Sequence, residues 1–156
     1  MEPVVEVIVG LYREVHQALR EEIAGLSRAE LTWTPAAETN SISVLIVHTL
    51  GSEAEVLRIV CDVENPRVRE AEFVPNLLSA EELRQRIDAA EALMLELAPQ
   101  ITANRLEAEI PRPNRRPQKG LYWLIRNCSH ASEHLAHIQL TRQVYAQTQR
   151  TTAARN

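Results

Sequence analysis

Residues 3–26 read PVVEVIVGLYREVHQALREEIAGL, and this stretch points to the class of fold. Val5, Ile8, Tyr12, Val15, Leu19 and Ile23 recur at spacings of three and four, which lays one apolar stripe along an α-helix. Pro3 suits a first helical turn, where its missing N–H costs nothing, and the pattern stops at Gly25. Two further stretches repeat the device. Ser41 to Asp62 carries Ile42, Leu45, Ile46, Val56, Leu57 and Val60, with Asn40 or Ser41 as its cap. Ser79-Ala-Glu-Glu82 has capping-box spacing and opens Leu83, Ile87, Ala90, Leu93 and Leu97, with Pro99 ending or kinking the run. A fourth and longest helix is predicted from Gly120 to Gln147.

The connectors differ in length. Ser27 and Glu30 have capping-box spacing in a short piece that precedes Leu31-Thr-Trp33-Thr-Pro35. The stretch from Pro66 to Leu78 is polar and irregular. Residues 104–119 hold three prolines and four arginines without a period, which reads as a long crossing loop. No Asn-Gly or Asp-Gly dipeptide marks a hairpin, so no strand is expected. Four amphipathic helices bury their faces most simply against one another. The prediction is therefore all-α: a four-helix bundle with long connections over residues 1–148, and a frayed polar tail over residues 149–156.

Composition narrows the function. Of 156 residues 45% are hydrophobic, enough for a core and too many for a disordered chain. The net charge of −4 argues against a nucleic-acid binder, which needs a basic face to displace phosphate counterions. No apolar run is long enough to span a membrane, and the charged start reads as a helix rather than a secretion signal. Cys61 and Cys128 make no disulfide framework, so a cytoplasmic location is expected. Four glycines leave no Gly-rich phosphate cradle.

The informative residues are the five histidines. His130 and His134 are four apart on one helix and share a face, which is metal-ligand spacing. His48 lies on the inward stripe Leu45–His48–Ser52–Val56, where an unpartnered imidazole costs about 1–3 kcal/mol. Three neutral imidazoles would hold a divalent cation and leave coordination positions open for a substrate. The alternative is a set of core or rim histidines satisfied by carboxylates and carbonyls. His137 is one helical step off the 130/134 line, and His16 is expected at the surface or the bundle edge.

Three blocks of this sequence resemble the DinB-like (YfiT-like) metalloenzyme superfamily. They are Leu31-x-Trp33-x-Pro35 leading to Asn40-Ser41-Ile42, His48 with Glu53 five residues on, and His130-x-x-x-His134-Leu-Ala-His137 followed by Arg142. The resemblance implies a four-helix bundle, often a homodimer, with a divalent metal, nickel or zinc, on His48, His130 and His134. It also implies a low-molecular-weight thiol as a possible co-substrate, activated for transfer or isomerisation of a small molecule; other members are thought to be hydrolases. Ala136 departs from the pattern, standing where many members carry glycine.

Other residues have two readings each. Glu53 is either an acceptor or general base beside a ligating imidazole, or a solvated helix carboxylate. Asn40 caps the second helix or hydrogen-bonds substrate, and His137 is a rim or substrate-binding group. Glu133 faces solvent. Trp33 and Trp123 read as core, and the two cysteines as small buried hydrophobes. The basic run from Pro113 to Lys119 either guides an anionic thiol or carboxylate into the bundle mouth or is a solvated loop. Two functions follow: a metal-dependent thiol transferase or hydrolase acting on a small molecule, or a non-catalytic, dimeric, stress-associated bundle with a vestigial or structural metal site.

Overall fold

The structure is a computed structural model that describes residues 1–113 and 115–154. Among the described residues the elements are α1 (Pro3–Ile23), α2 (Arg28–Thr32), α3 (Ile42–Cys61), α4 (Ala80–Leu97), α5 (Ala103–Glu107), β1 (Glu109–Arg112), β2 (Arg115–Lys119) and α6 (Gly120–Ala153). Two 3₁₀ turns, Arg69–Phe73 and Ala98–Gln100, lie in the connections.

The four periodic stretches are the four long helices. Their stripes meet in one core, in which Leu19, Ile46, Leu57, Leu83, Ile87, Met94 and Leu124 are almost wholly buried. Each such side chain contributes roughly 1.5–3 kcal/mol through the apolar area it removes from water. The start signals are used as written. Both capping boxes form, Ser27 with Glu30 and Ser79 with Glu82, and the cap of α3 is Ser41 rather than Asn40.

Helix directions explain the long connections. Tyr12 meets Asn127 and Glu22 meets Arg142, so α1 and α6 run parallel. His48 meets His130 and Ser52 meets Asn127, so α3 runs antiparallel to α6. Arg13 and Arg20 pair with Glu91 and Asp88, which sets α4 antiparallel to α1 and hence parallel to α3. The chain must therefore retrace the length of α3 before α4 can begin. Residues 63–79 do this, passing Glu55 with Arg67 and His48 with Glu72 and Phe73.

Residues 104–119 differ from the loop predicted. They form α5 and an antiparallel hairpin in which Glu109 pairs with Lys119 and Ile110 with Gln118, with an irregularity between Ile110 and Arg112. The prolines are tolerated because a two-stranded ribbon leaves one edge of each strand without a ladder partner. Among the described residues of the two strands only Ile110 is buried, so the hairpin has no alternating apolar signature. Trp123 donates from Nε1 to the Ile110 carbonyl at 2.9 Å and ties the hairpin to α6. Gly120 lets α6 start against α5: a Cβ there would lie 2.2 Å from the Arg105 carbonyl oxygen.

Helix α6 continues through Ala153, beyond the point at which the apolar pattern fades; Arg155 and Asn156, the rest of the expected tail, lie outside the described residues. Ala136 is exposed, so its methyl narrows no helix contact. No described helix is long and apolar enough to cross a membrane.

Candidate metal centre

Helix α3 carries His48 on its inward face, 5% exposed, and α6 brings His130 and His134 to it from the neighbouring helix. The ring centroids are 5.3 Å (His48–His130), 5.1 Å (His48–His134) and 4.3 Å (His130–His134) apart. One nitrogen from each ring lies within 4.8 Å of the others.

The connection that retraces α3 orients the first of these rings. Glu72, on the turn Arg69–Phe73, accepts a hydrogen bond from His48 Nδ1 at 2.9 Å. Burial works against the ionised Glu72 carboxyl, but the guanidinium of Arg67 and the hydrogen bond from His48 outweigh it and hold the pKa below the usual carboxylate range. Arg67 grips Glu72 with two nitrogens, at 2.6 and 2.7 Å, and reaches Glu55 at 2.5 Å. A carboxylate can only accept, so the His48 proton sits on Nδ1 and the Nε2 lone pair is turned toward His130 Nε2, 3.2 Å away. Gly51 makes room for this arrangement, since a Cβ there would fall 2.0 Å from Glu72 Oε1.

The other two rings are kept neutral. Burial pushes the His130 pKa down, with His48 and Arg126 adding to the effect. Burial and the neighbouring imidazoles push His134 down to about 4. Both buried nitrogens of His134 lack a hydrogen-bond partner among the described residues. Three imidazoles converge here, and among the described residues no protein group receives the two nitrogens of His134. That donor set fits a divalent cation of borderline softness and leaves part of its coordination sphere to other ligands.

A cavity of about 760 Å³ opens beside the cluster. His48 and His130 are in its wall, together with Ser52 of α3, Trp123 and Asn127 of α6 and Arg112 of β1. Asn127 is fixed by Tyr12, which donates to its Oδ1 at 2.7 Å, and by Ser52, which accepts from its Nδ2 at 2.8 Å.

Not every expected site residue belongs here. His137 is exposed on the rim, its ring 5.7 Å from that of His134. Asn40 is exposed, precedes the cap of α3, and is not part of the cavity wall. Glu53 is neither beside His48 nor solvated: it is 1% exposed and pairs with His16 at 2.8 Å. Five residues turn a helix by about 140° beyond one full turn, so Glu53 faces α1 while His48 faces α6. His16, expected at the surface, is wholly buried as its partner. Glu133 is exposed as expected, paired with Arg126.

Sequence reasoning missed Glu72, Arg67 and Phe73, whose ring lies 4.5 Å from that of His48. The available signal was the density of charge in Arg67-Val-Arg-Glu-Ala-Glu72, unusual for a mere connector. Cys128 is buried, as expected of a small hydrophobe, and burial raises its thiol to about 11.

The model of the DinB superfamily matches residues 11–138. No curated protein matches the chain. Among solved structures, a conserved protein of Enterococcus faecalis superposes with a TM-score of 0.77 at 16% identity, covering 92% of this chain and 97% of its own. A DinB-like protein of Bacillus subtilis gives 0.66 at 17% identity, with 89% and 92% covered. The mycothiol-dependent maleylpyruvate isomerase gives 0.65 at 17% identity over 85% of this chain, which spans only 59% of that enzyme. At such identities these likenesses establish the shared fold.

Proposed function

The chain belongs to the DinB superfamily, and from that premise we propose that it is a metal-dependent enzyme whose divalent ion, nickel or zinc, is held by His48, His130 and His134. The observation that carries this reading is His134, half-buried between two other imidazoles, with two nitrogens that have no partner among the described residues. A bound divalent ion supplies Lewis acidity, which makes a thiol or a water nucleophilic at neutral pH. The chain's own residues do the rest. Glu72 holds the His48 proton at Nδ1, Arg67 holds Glu72, and the cavity seats a small-molecule substrate next to His48 and His130.

Thiol transfer or isomerisation is preferred to hydrolysis. A structural neighbour is a mycothiol-dependent isomerase. The protein's own thiols are unsuited to attack, because burial raises both Cys61 and Cys128. The thiol is therefore a low-molecular-weight co-substrate. A cytoplasmic homodimer completes the reading. Val4, Val7 and Leu11, exposed at helical spacing along α1, form an apolar strip that a second copy would cover.

Elemental analysis of protein purified without chelator tests the metal. Stoichiometric nickel or zinc is expected, lost in His48→Ala and in His134→Ala. Metal-free protein whose melting does not respond to added Ni²⁺ or Zn²⁺ overturns the reading. A panel of low-molecular-weight thiols with small electrophiles, assayed on the loaded protein, then separates transfer from hydrolysis.

A further inference from the structure

The cavity beside the histidines has the opposite charge to the chain that builds it. The protein carries a net charge of −4, yet six of its 17 basic residues line this one concavity: Arg67, Arg69, Arg112, Arg115, Arg116 and Arg126. The carboxylates available to them in, behind and beside the wall are Glu55, Glu70, Glu72 and Glu133. Six guanidiniums against four carboxylates leave an excess of two positive charges around about 760 Å³.

The arginines fall into two groups. Arg67 and Arg112 form a fixed floor: both bind the buried carboxylate of Glu55, Arg67 also binds Glu72, and Arg112 lies over the Trp123 ring at 4.8 Å. Their charges are matched within the protein. Arg69, Arg115, Arg116 and Arg126 stand around the mouth and are exposed. Among the described residues Arg126 pairs with the exposed Glu133, a surface contact of about 0–1 kcal/mol that an incoming anion can displace. The four come from three separate segments: Arg69 from the connection that retraces α3, Arg115 and Arg116 from the hairpin, and Arg126 from α6. Gathering like charges from distant parts of an acidic chain into one concavity is unfavourable unless an anion offsets their repulsion. Guanidinium forks match carboxylate and phosphate oxygens in pairs.

We propose that this cavity binds a small molecule carrying two or more anionic groups, carboxylate or phosphate, held at the mouth by Arg69, Arg115, Arg116 and Arg126. The proposal names the substrate class of the site and rests on the reading of that site as one that takes a small molecule. A volume of about 760 Å³ suits a ligand of drug-like or metabolite size, and the acidity of the remaining surface disfavours an extended nucleic acid.

The test is calorimetric titration of the full-length protein, as purified and again after a chelator, with citrate, pyrophosphate and acetate at matched ionic strength. Citrate or pyrophosphate is expected to bind one per chain with a Kd below about 1 mM, acetate far more weakly. The preference between the two assigns the anion as carboxylate or phosphate. Arg116→Gln and Arg126→Gln should each weaken that binding at least tenfold, while Arg84→Gln, the same charge removed from an exposed position on α4, should not. An equal loss in Arg84→Gln, no binding of either polyanion, or binding of a short oligonucleotide alone overturns the proposal. The chelated arm reads the anion site without the metal, and the metal content of Arg116→Gln reads the metal site without the anion, so either reading can fail alone.

Discussion

Helix α3 takes part in two imidazole–carboxylate pairs on different faces. Toward α6, its His48 is held by Glu72 from the returning connection at 2.9 Å. Toward α1, its Glu53 holds His16 at 2.8 Å. The local chemistry is nearly the same, and both pairs are buried. What differs is the surroundings of the second ring nitrogen. That of His48 faces two further imidazoles and a charged cavity. That of His16 is enclosed in the core with no partner among the described residues, and one Glu53 oxygen is likewise unpartnered there. A carboxylate behind an imidazole therefore says nothing by itself about function: one pair presents a lone pair to a site, the other joins two helices.

The contrast is sharpest at His134. Removing it should abolish metal binding and cost the metal-free fold nothing. His134→Leu deletes two nitrogens that have no partner among the described residues, so its melting temperature in chelator should equal or exceed that of the parent. Its stoichiometric metal should fall to background. A variant that loses metal and also unfolds would show that His134 is a structural histidine like His16.

The next largest effect is on the other pair. Glu53→Ala leaves His16 buried without its acceptor, at a cost of about 3–5 kcal/mol, or a fall of roughly 10 °C in melting temperature for a chain of this size. Metal content should not change. Replacing both members, His16→Phe with Glu53→Leu, should cost less than Glu53→Ala alone, because no stranded polar group remains. Thermal melts of the three proteins check this, and additive losses would mean that the two side chains do not act as a pair.

A smaller effect is expected at Glu72. Glu72→Gln removes the charge that fixes the His48 tautomer and should weaken metal affinity about 10–100-fold. Gly51→Ala should do the same by displacing the Glu72 carboxylate. Competition with a metallochromic chelator measures both. Glu53→Gln, which touches no ligand, should leave affinity where it is.

The sequence disclosed these two regions unequally. The bundle was legible because its apolar stripes and capping boxes are local and periodic; Ser79-Ala-Glu-Glu82 needs no distant residue to be understood. His130 and His134 were legible for the same reason, being one helical turn apart. Glu72 was not, because its role depends on the chain doubling back along α3, a fact set by helix directions and not by neighbouring residues. Glu53 and His16 were misplaced because a lone charged residue in an amphipathic helix normally faces water. At both positions a partner 37 residues away in sequence reverses that expectation. The hairpin was hidden because, among its described residues, only Ile110 turns inward.

The smallest predicted effect concerns pH and separates the two carboxylates by sign. Burial raises the Glu53 pKa, with Glu91 adding to the rise and His16 opposing it, whereas Arg67 and His48 outweigh burial and lower that of Glu72. A carboxyl raised in the folded state binds more protons folded than unfolded, so its contribution to stability is complete below the ordinary carboxylate pKa and declines as pH rises through the folded value. A lowered carboxyl behaves oppositely: its contribution is complete above the ordinary value and declines as pH falls through the folded one. Glu53→Gln keeps the shape of the protonated group without its titration. The stability of the parent relative to Glu53→Gln should therefore fall as pH rises above the usual carboxylate range, by about 1.4 kcal/mol for each unit of displacement. Relative to Glu72→Gln, the parent should instead gain stability as pH rises from acid toward that range. Denaturant titrations of the three chelator-treated proteins between pH 3 and pH 8 read both differences. Slopes of the same sign would mean that His16 holds Glu53 ionised as firmly as Arg67 holds Glu72.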